Sequence, residues 1–219
     1  EGHDLALHYR DSAAEMDGLL AELNARRADS AIALRADLAE FDRLPELIAN
    51  TVGRFGRLDA LVNNASAFFP TPIGQATPQH WDELFAANAR APFFLSQAAA
   101  PHLKATHGAI VNITDIYAER PLRDHALYGM SKAALLHMTK ALAVELAPDV
   151  RVNAVSPGAI LWPEDGKNES AKDAMLGRTP LKRIGSVEEI AEAVHWLLRD
   201  ATYTTGQVIR VDGGRLLND

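Results

Sequence analysis

A chain of 219 residues, 47% of them hydrophobic, can bury one sizeable core, so a single domain over 1–219 is expected. Its net charge of -7, without a basic cluster, argues against a nucleic-acid partner. The absence of cysteine excludes disulfides, thiolate metal sites and cysteine nucleophiles, and the eight histidines lack zinc-site spacing.

Short apolar strands alternate with longer amphipathic helices along the chain. Leu5 to Tyr9 reads as a strand and Ser12 to Arg27 as a helix, opened by a capping box of Ser12 with Glu15. A strand over Ala31 to Ala36, a helix over Leu44 to Phe55 and a strand over Leu58 to Asn63 follow. Pro78 to Lys104 reads as a helix that Pro92 interrupts or kinks. Next come the strand Ala109 to Thr114, the helix Ala126 to Leu146 and the strand Arg151 to Val155. Residues 161 to 179 hold Pro163, Gly166, Asn168 and Gly177 without a strong period, and read as a substrate loop within the domain. The helix Val187 to Leu198, capped by Ser186 with Glu189, and the strand Gln207 to Val211 close the pattern. Doubly apolar strands in alternation with helices predict an α/β fold with a parallel sheet covered on both faces. No apolar run approaches about 18 residues, so no membrane partner is expected. The opening EGHDLALHYR does not read as a signal peptide, and a cytoplasmic enzyme or binding protein fits.

The chemistry concentrates around Asp115, Tyr128 and Lys132. Tyr and Lys four apart share a helical face, about 6 Å apart along the axis. A neighbouring cation favours the phenolate and would lower the Tyr128 pKa from its free value of about 10. A carboxylate at the end of the preceding strand would face the same place. Alone, the Tyr–Lys spacing also fits a surface pair. Further motifs surround it: NNAS at Asn63 to Ser66, Asn88 ahead of Pro92, SPG at Ser156 to Gly158 and VDGG at Val211 to Gly214.

In this order and at these separations, the motifs resemble the short-chain dehydrogenase/reductases across essentially the whole chain. That resemblance implies a Rossmann-type doubly wound sheet and a catalytic set of Asn88, Tyr128 and Lys132. It also implies cofactor contacts at Asn64, Ala65, Ser66, Thr114, Tyr128, Lys132, Pro157 and Gly158. Most of the superfamily carries Ser where this chain has Asp115; the pteridine reductases place Asp there. HYRDSAAE at His8 to Glu15, NNASAFFPTP at Asn63 to Pro72 and LNARRADSAI near Leu23 are also similar to pteridine reductase segments. An aromatic in the position of Phe68 stacks the pterin in that family, as a flat heteroaromatic ring requires.

The same resemblance implies NADPH as cofactor. His8 and Tyr9 end, and Arg10 and Ser12 follow, the strand whose end binds the ribose 2′-position, and Arg10 is the strongest phosphate ligand among them. Asp11 departs from the family pattern and must turn outward or pair with Arg10. Asp37 and Leu38 resemble the pair bordering the adenine. The implied reaction is hydride transfer to a C=N bond of a pterin or dihydrofolate. Lys132 would hold the nicotinamide ribose, Asn88 would position a water chain, and Tyr128 would donate or relay a proton. Asp115 would bind the pterin and, with its pKa raised by desolvation, carry a proton. Ser in that place suits carbonyl reduction instead. A ketoreductase acting on a carbonyl, or a non-catalytic dinucleotide-binding protein, are the competing readings.

The family's Gly-rich loop, with its strand and helix, has no counterpart in these residues. About thirty further residues at the start of the natural protein are expected on that ground. Without that first strand the sheet would hold a gap of two strand spacings, about 10 Å. A homotetramer is implied by the family and by the helix Ala126 to Leu146, which is apolar on more than one face.

Overall fold

The computed structural model describes residues 2–161 and 169–218, without the side chains of 169–171. Strands β1 (Leu5–Tyr9), β2 (Ala31–Arg35), β3 (Ala60–Asn63), β4 (Ala109–Ile113), β5 (Arg151–Pro157) and β6 (Val208–Val211) alternate with helices. Every pairing is parallel, with β1 beside β2 and the order β3-β4-β5-β6 in a second sheet. β4 and the interior of β5 are buried almost throughout, as continuous Val, Ile and Ala runs require when both faces are covered.

Neighbouring residues of a strand point to opposite faces, and the core divides accordingly. Ile110 and Val152 pack with α2 (Leu44–Phe55), α4 (Ala91–Thr106) and α5 (Ala126–Leu146). Val111 and Val155 pack on the other face with Leu197 of α7 (Val187–Arg199). This is the α/β, doubly wound arrangement expected from the sequence. β1 and β3 each pair with one strand among the described residues, and Leu5 and Val62 stay 37% and 40% exposed. Ala36 and Leu38, just past β2, nonetheless join the same core as β4 and β5.

Three local expectations need correction. Ser12 precedes α1 (Ala13–Arg26) but makes no side-chain capping bond. A capping box does form at Thr77 and His80, ahead of α3 (Pro78–Phe85), where the histidine ring replaces the usual Glu or Gln. The box of Ser186 with Glu189 forms as expected. The helix expected over Pro78 to Lys104 is instead α3, a π turn over Ala86–Arg90, and α4. Pro92 has no N–H to give and its ring clashes with the carbonyl four residues back, so the wider turn absorbs the conflict. Part of the loop expected over 161–179 is a helix, α6 (Glu169–Gly177), too short to display a period. Pro163, Gly166 and Asn168 lie outside the described residues. Among the described residues no helix is long and apolar enough to cross a membrane.

Candidate active site

β4 runs in the middle of its sheet and aims its C-terminal end at the site. Thr114 extends that hold: its backbone N–H and its hydroxyl both donate to the Val155 carbonyl, at 2.8 and 3.0 Å. Asp115 then caps a short 3-10 turn over Ile116–Ala118, with Oδ1 accepting the Tyr117 N–H at 2.8 Å. On α5 the buried residues step by three and four through Tyr128, Ser131, Lys132, Leu135 and Thr139, so the inner face delivers Tyr128 and Lys132 together. A buried chain pins that helix. Asn63 donates to Asn112 at 2.8 Å, and Asn112 donates to Thr139 at 2.9 Å. None of these three was singled out in the sequence as a network, because their contacts span three separate elements.

The trio meets. The Tyr128 hydroxyl donates to Asp115 Oδ2 at 2.7 Å, and Lys132 Nζ donates to the Ile113 carbonyl at 2.9 Å. Both α5 side chains are almost fully buried, at 4% and 2% exposure. Burial pushes the Asp115 carboxyl above its ordinary range, against the opposing bonds from Tyr117 and Tyr128 and the charges of Lys132 and Arg215. Burial, then the Asp115 charge, pushes the Tyr128 phenol up. Burial lowers Lys132 to about 8, with Asp115 opposing.

Lys132 therefore does not lower the Tyr128 pKa here, contrary to the sequence-based expectation. Its Nζ lies 6.0 Å from the ring centroid and donates to a carbonyl, while the phenol faces a carboxylate. The phenol stays protonated, its hydrogen directed at Asp115. A proton on this pair can be shared between carboxylate and phenol, and Asp115 can carry one more.

Asn88 sits in the π turn, fully buried. Its Oδ1 accepts from Ser66 Oγ at 3.0 Å and the Ala67 N–H at 2.9 Å. Its Nδ2 donates to the Ala67 carbonyl and to Ser131 Oγ, both at 2.9 Å. An asparagine side chain has two acceptor and two donor positions, and all four are used. The side chain has no capacity left for a water chain; it ties the Ser66–Phe68 loop to α5. Ser131 passes that tie on by donating to the Tyr128 carbonyl at 2.7 Å.

The same loop presents exposed Asn64, Ala65 and Ser66. Phe68 follows, 56% exposed. Its ring meets Tyr128 edge-on, with centroids 4.7 Å apart at 86°, and stacks on His125 at 4.8 Å and 19°. Sequence reading missed His125, which precedes the first turn of α5. Phe69 instead packs edge-on against His80.

Beyond the ends of β1 and β2 opens a cleft of about 620 Å³ lined by Arg10, Asp11, Arg35, Asp37, Glu40 and Arg43. Arg10 pairs with Asp11 at 2.7 Å, which turns the departing acid onto its neighbour. Arg35 Nε donates to the Arg10 carbonyl at 3.1 Å, and the cation has no carboxylate partner among the described residues. His8 Nε2 pairs with the Ala36 carbonyl at 2.9 Å, and the Ala36 N–H donates to the Tyr9 carbonyl at 3.1 Å. Both residues fasten β1 to the turn after β2. Asp37 Oδ1 accepts the Ala39 N–H at 2.9 Å, and Leu38 is core. Ser12 is exposed, its hydroxyl free of a capping bond. Arg35 and Arg43 escaped sequence reading, although a cation two residues before Asp37 was a usable signal.

Pro157 and Gly158 leave β5 beside β6. The Gly158 N–H donates to the Val211 carbonyl at 3.0 Å, and a Cβ on Gly158 would lie 2.7 Å from the Asp212 Cα. Only glycine allows that approach of the SPG and VDGG motifs. Among the described residues no group of three or more His, Asp or Glu could hold a metal.

Residues 1–215 match the family described as Enoyl-(Acyl carrier protein) reductase. Pteridine reductase 1 of Leishmania tarentolae is 36% identical over 255 residues of alignment, covering 98% of this chain and 88% of that protein. The 3-oxoacyl-[acyl-carrier-protein] reductase FabG of Staphylococcus epidermidis is 35% identical over 218 residues, covering 98% and 89%. FabG of Staphylococcus aureus is 35% identical over the same length, covering 98% and 88%. The chain is an oxidoreductase and belongs to the short-chain dehydrogenase/reductase superfamily.

Proposed function

We propose that this protein is an NADPH-dependent reductase of a C=N bond in a pterin or dihydrofolate. The observation that carries the reading is the part-buried Asp115–Tyr128 hydrogen bond, with the Tyr128 ring edge-on to an exposed Phe68. A serine hydroxyl at residue 115 would suit a ketone oxygen. A carboxyl whose proton affinity is raised by burial suits a ring nitrogen, because it can both bind the heteroaromatic edge and deliver a proton.

The residues fit the cofactor. Among the described residues Arg35 lacks a carboxylate partner, Arg10 stands beside it, and the exposed Ser12 hydroxyl, which makes no capping bond, follows Arg10 by two residues; together they form a donor set for a 2′-phosphate. Bound there, NADPH supplies the hydride. Lys132, with one bond to Ile113 and further N–H donors, offers hydrogen bonds to ribose hydroxyls. Phe68 offers a flat face to the substrate ring. Asp115 gives its proton to the ring nitrogen as the adjacent carbon gains hydride, and Tyr128 stabilises the resulting carboxylate through the existing hydrogen bond. Asn88 holds the Phe68 loop and α5 in register throughout.

A 3-oxoacyl thioester reductase is the second reading, favoured by the 35% identity to FabG proteins. Exposed Met130 and Val144 on α5 support packing against further copies, in a homotetramer. Following NADPH absorbance with dihydrobiopterin, dihydrofolate and an acetoacetyl thioester in parallel separates the readings. Turnover of the reduced pterins above the thioester is expected; turnover of the thioester alone would transfer the assignment to the ketoreductase.

A further inference from the structure

We infer that Arg215 is a specificity-determining residue that binds a carboxylate of the substrate, which makes dihydrofolate, with its glutamate tail, the favoured member of the pterin class. This rests on the pterin reading above.

Arg215 opens the short 3-10 turn Arg215–Leu217 that follows β6. Its guanidinium lies where three segments converge. One amino group donates to the Tyr117 hydroxyl at 3.5 Å, in the turn that Asp115 caps. The other donates to the Met175 carbonyl at 3.4 Å, in α6, within the stretch expected to cover the substrate. Its charge also acts on Asp115.

The cation is held firmly but bonded weakly. A guanidinium has five N–H donors, and both bonds made here lie at the outer limit of hydrogen-bond length, to neutral acceptors. No carboxylate pairs with Arg215 among the described residues, although it is half-buried. Arg151 is the instructive contrast. It too is half-buried without a carboxylate partner among the described residues, yet the three carbonyls of Leu197, Leu198 and Ala201 hold it at 2.6 to 3.0 Å.

The frame around Arg215 is rigid. Arg120 donates to the carbonyls of Arg215 and Asn218, and the Asp212 carboxylate accepts the N–H groups of Gly214 and Leu216 at 2.9 and 2.7 Å. Arg210 is closed off in a bidentate pair with Glu119. A preorganised guanidinium with donors left unused among the described residues, bonded to the turn that Asp115 caps, matches the planar fork of a carboxylate. On a chain of net charge -7, an anionic substrate needs such a local cation.

The test compares Arg215→Gln and Arg215→Lys with wild type, measuring KM and kcat for dihydrofolate and dihydrobiopterin and direct binding of each in calorimetry. In Arg215→Gln the KM and Kd for dihydrofolate should rise about tenfold more than those for dihydrobiopterin, the scale of a charge-assisted bond. Arg215→Lys should recover part of the preference. Equal weakening of both substrates would assign Arg215 a structural role and overturn the inference alone. Wild type that turns over dihydrobiopterin with no preference for dihydrofolate overturns it likewise. Wild type that reduces neither overturns the pterin reading as well.

Discussion

The hydroxyl of Tyr128 donates to Oδ2 of Asp115 at 2.7 Å, so the phenol proton points at a carboxylate rather than into open space. Burial raises the proton affinity of both partners. The two titrate as a pair, and their protonated form is the active one if Asp115 delivers the proton. The pH consequence has a definite sign: kcat/KM for a dihydropterin should fall as pH rises through a value above the ordinary carboxylate range near ~3.9. In Asp115→Asn this limb should vanish along with most of the rate. A wild-type profile flat from pH 4 to 7 would remove Asp115 from the proton-transfer step.

Lys132 is buried as a cation and its pKa is lowered to about 8. The unfolded chain, with lysine near its ordinary value, then binds more protons above pH 8 than the folded one does. Folding stability from this group is present at high pH and lost as pH falls through about 8. Lys132→Met should therefore abolish turnover while raising Tm at pH 7, and should flatten the rise in Tm between pH 8 and 10 relative to wild type. Thermal melts of both proteins across that window check it; a lower Tm for the variant at pH 7 would mean that the bond to Ile113 outweighs desolvation.

Arg35 stands in the cleft beside Arg10 without a carboxylate partner among the described residues, whereas Arg10 is paired with Asp11. Arg35→Gln should raise the KM for NADPH by about tenfold and leave the KM for NADH nearly alone. Binding of adenosine 2′,5′-bisphosphate in calorimetry gives the same comparison without turnover. Equal loss for both dinucleotides would place the 2′-phosphate elsewhere.

Phe68 is largely exposed and edge-on to Tyr128. Phe68→Ala should raise the dihydropterin KM about fivefold to tenfold, the scale of one lost aromatic stack, with less change in kcat. Steady-state kinetics with dihydrobiopterin measure this. A loss confined to kcat would instead make Phe68 a support for Tyr128.

The strand–helix alternation was legible because continuous Val and Ile runs, bounded by Gly, Pro and Asn, have one stable use in a parallel sheet. Asp115, Tyr128 and Lys132 were legible for a similar reason: a strand end and an i, i+4 pair bring them together through local geometry alone. Pro92 announced a break in its helix, but not that the relief would be a π turn carrying Asn88. Ser12 looked like a cap and is not one, because capping depends on a backbone angle that sequence does not specify. Arg35, His125 and Arg215 owe their places to tertiary approach across 25 to 98 residues of chain. No periodicity encodes such meetings.

Asp115→Ser gives the sharpest measurement: kcat/KM for dihydrobiopterin and for an acetoacetyl thioester, in wild type and variant. Pterin reduction should fall by about a hundredfold or more, the scale of one lost acid–base group, while thioester reduction holds or rises. Near wild-type pterin reduction by Asp115→Ser would contradict the assignment of Asp115 as the group that directs this reductase to C=N bonds.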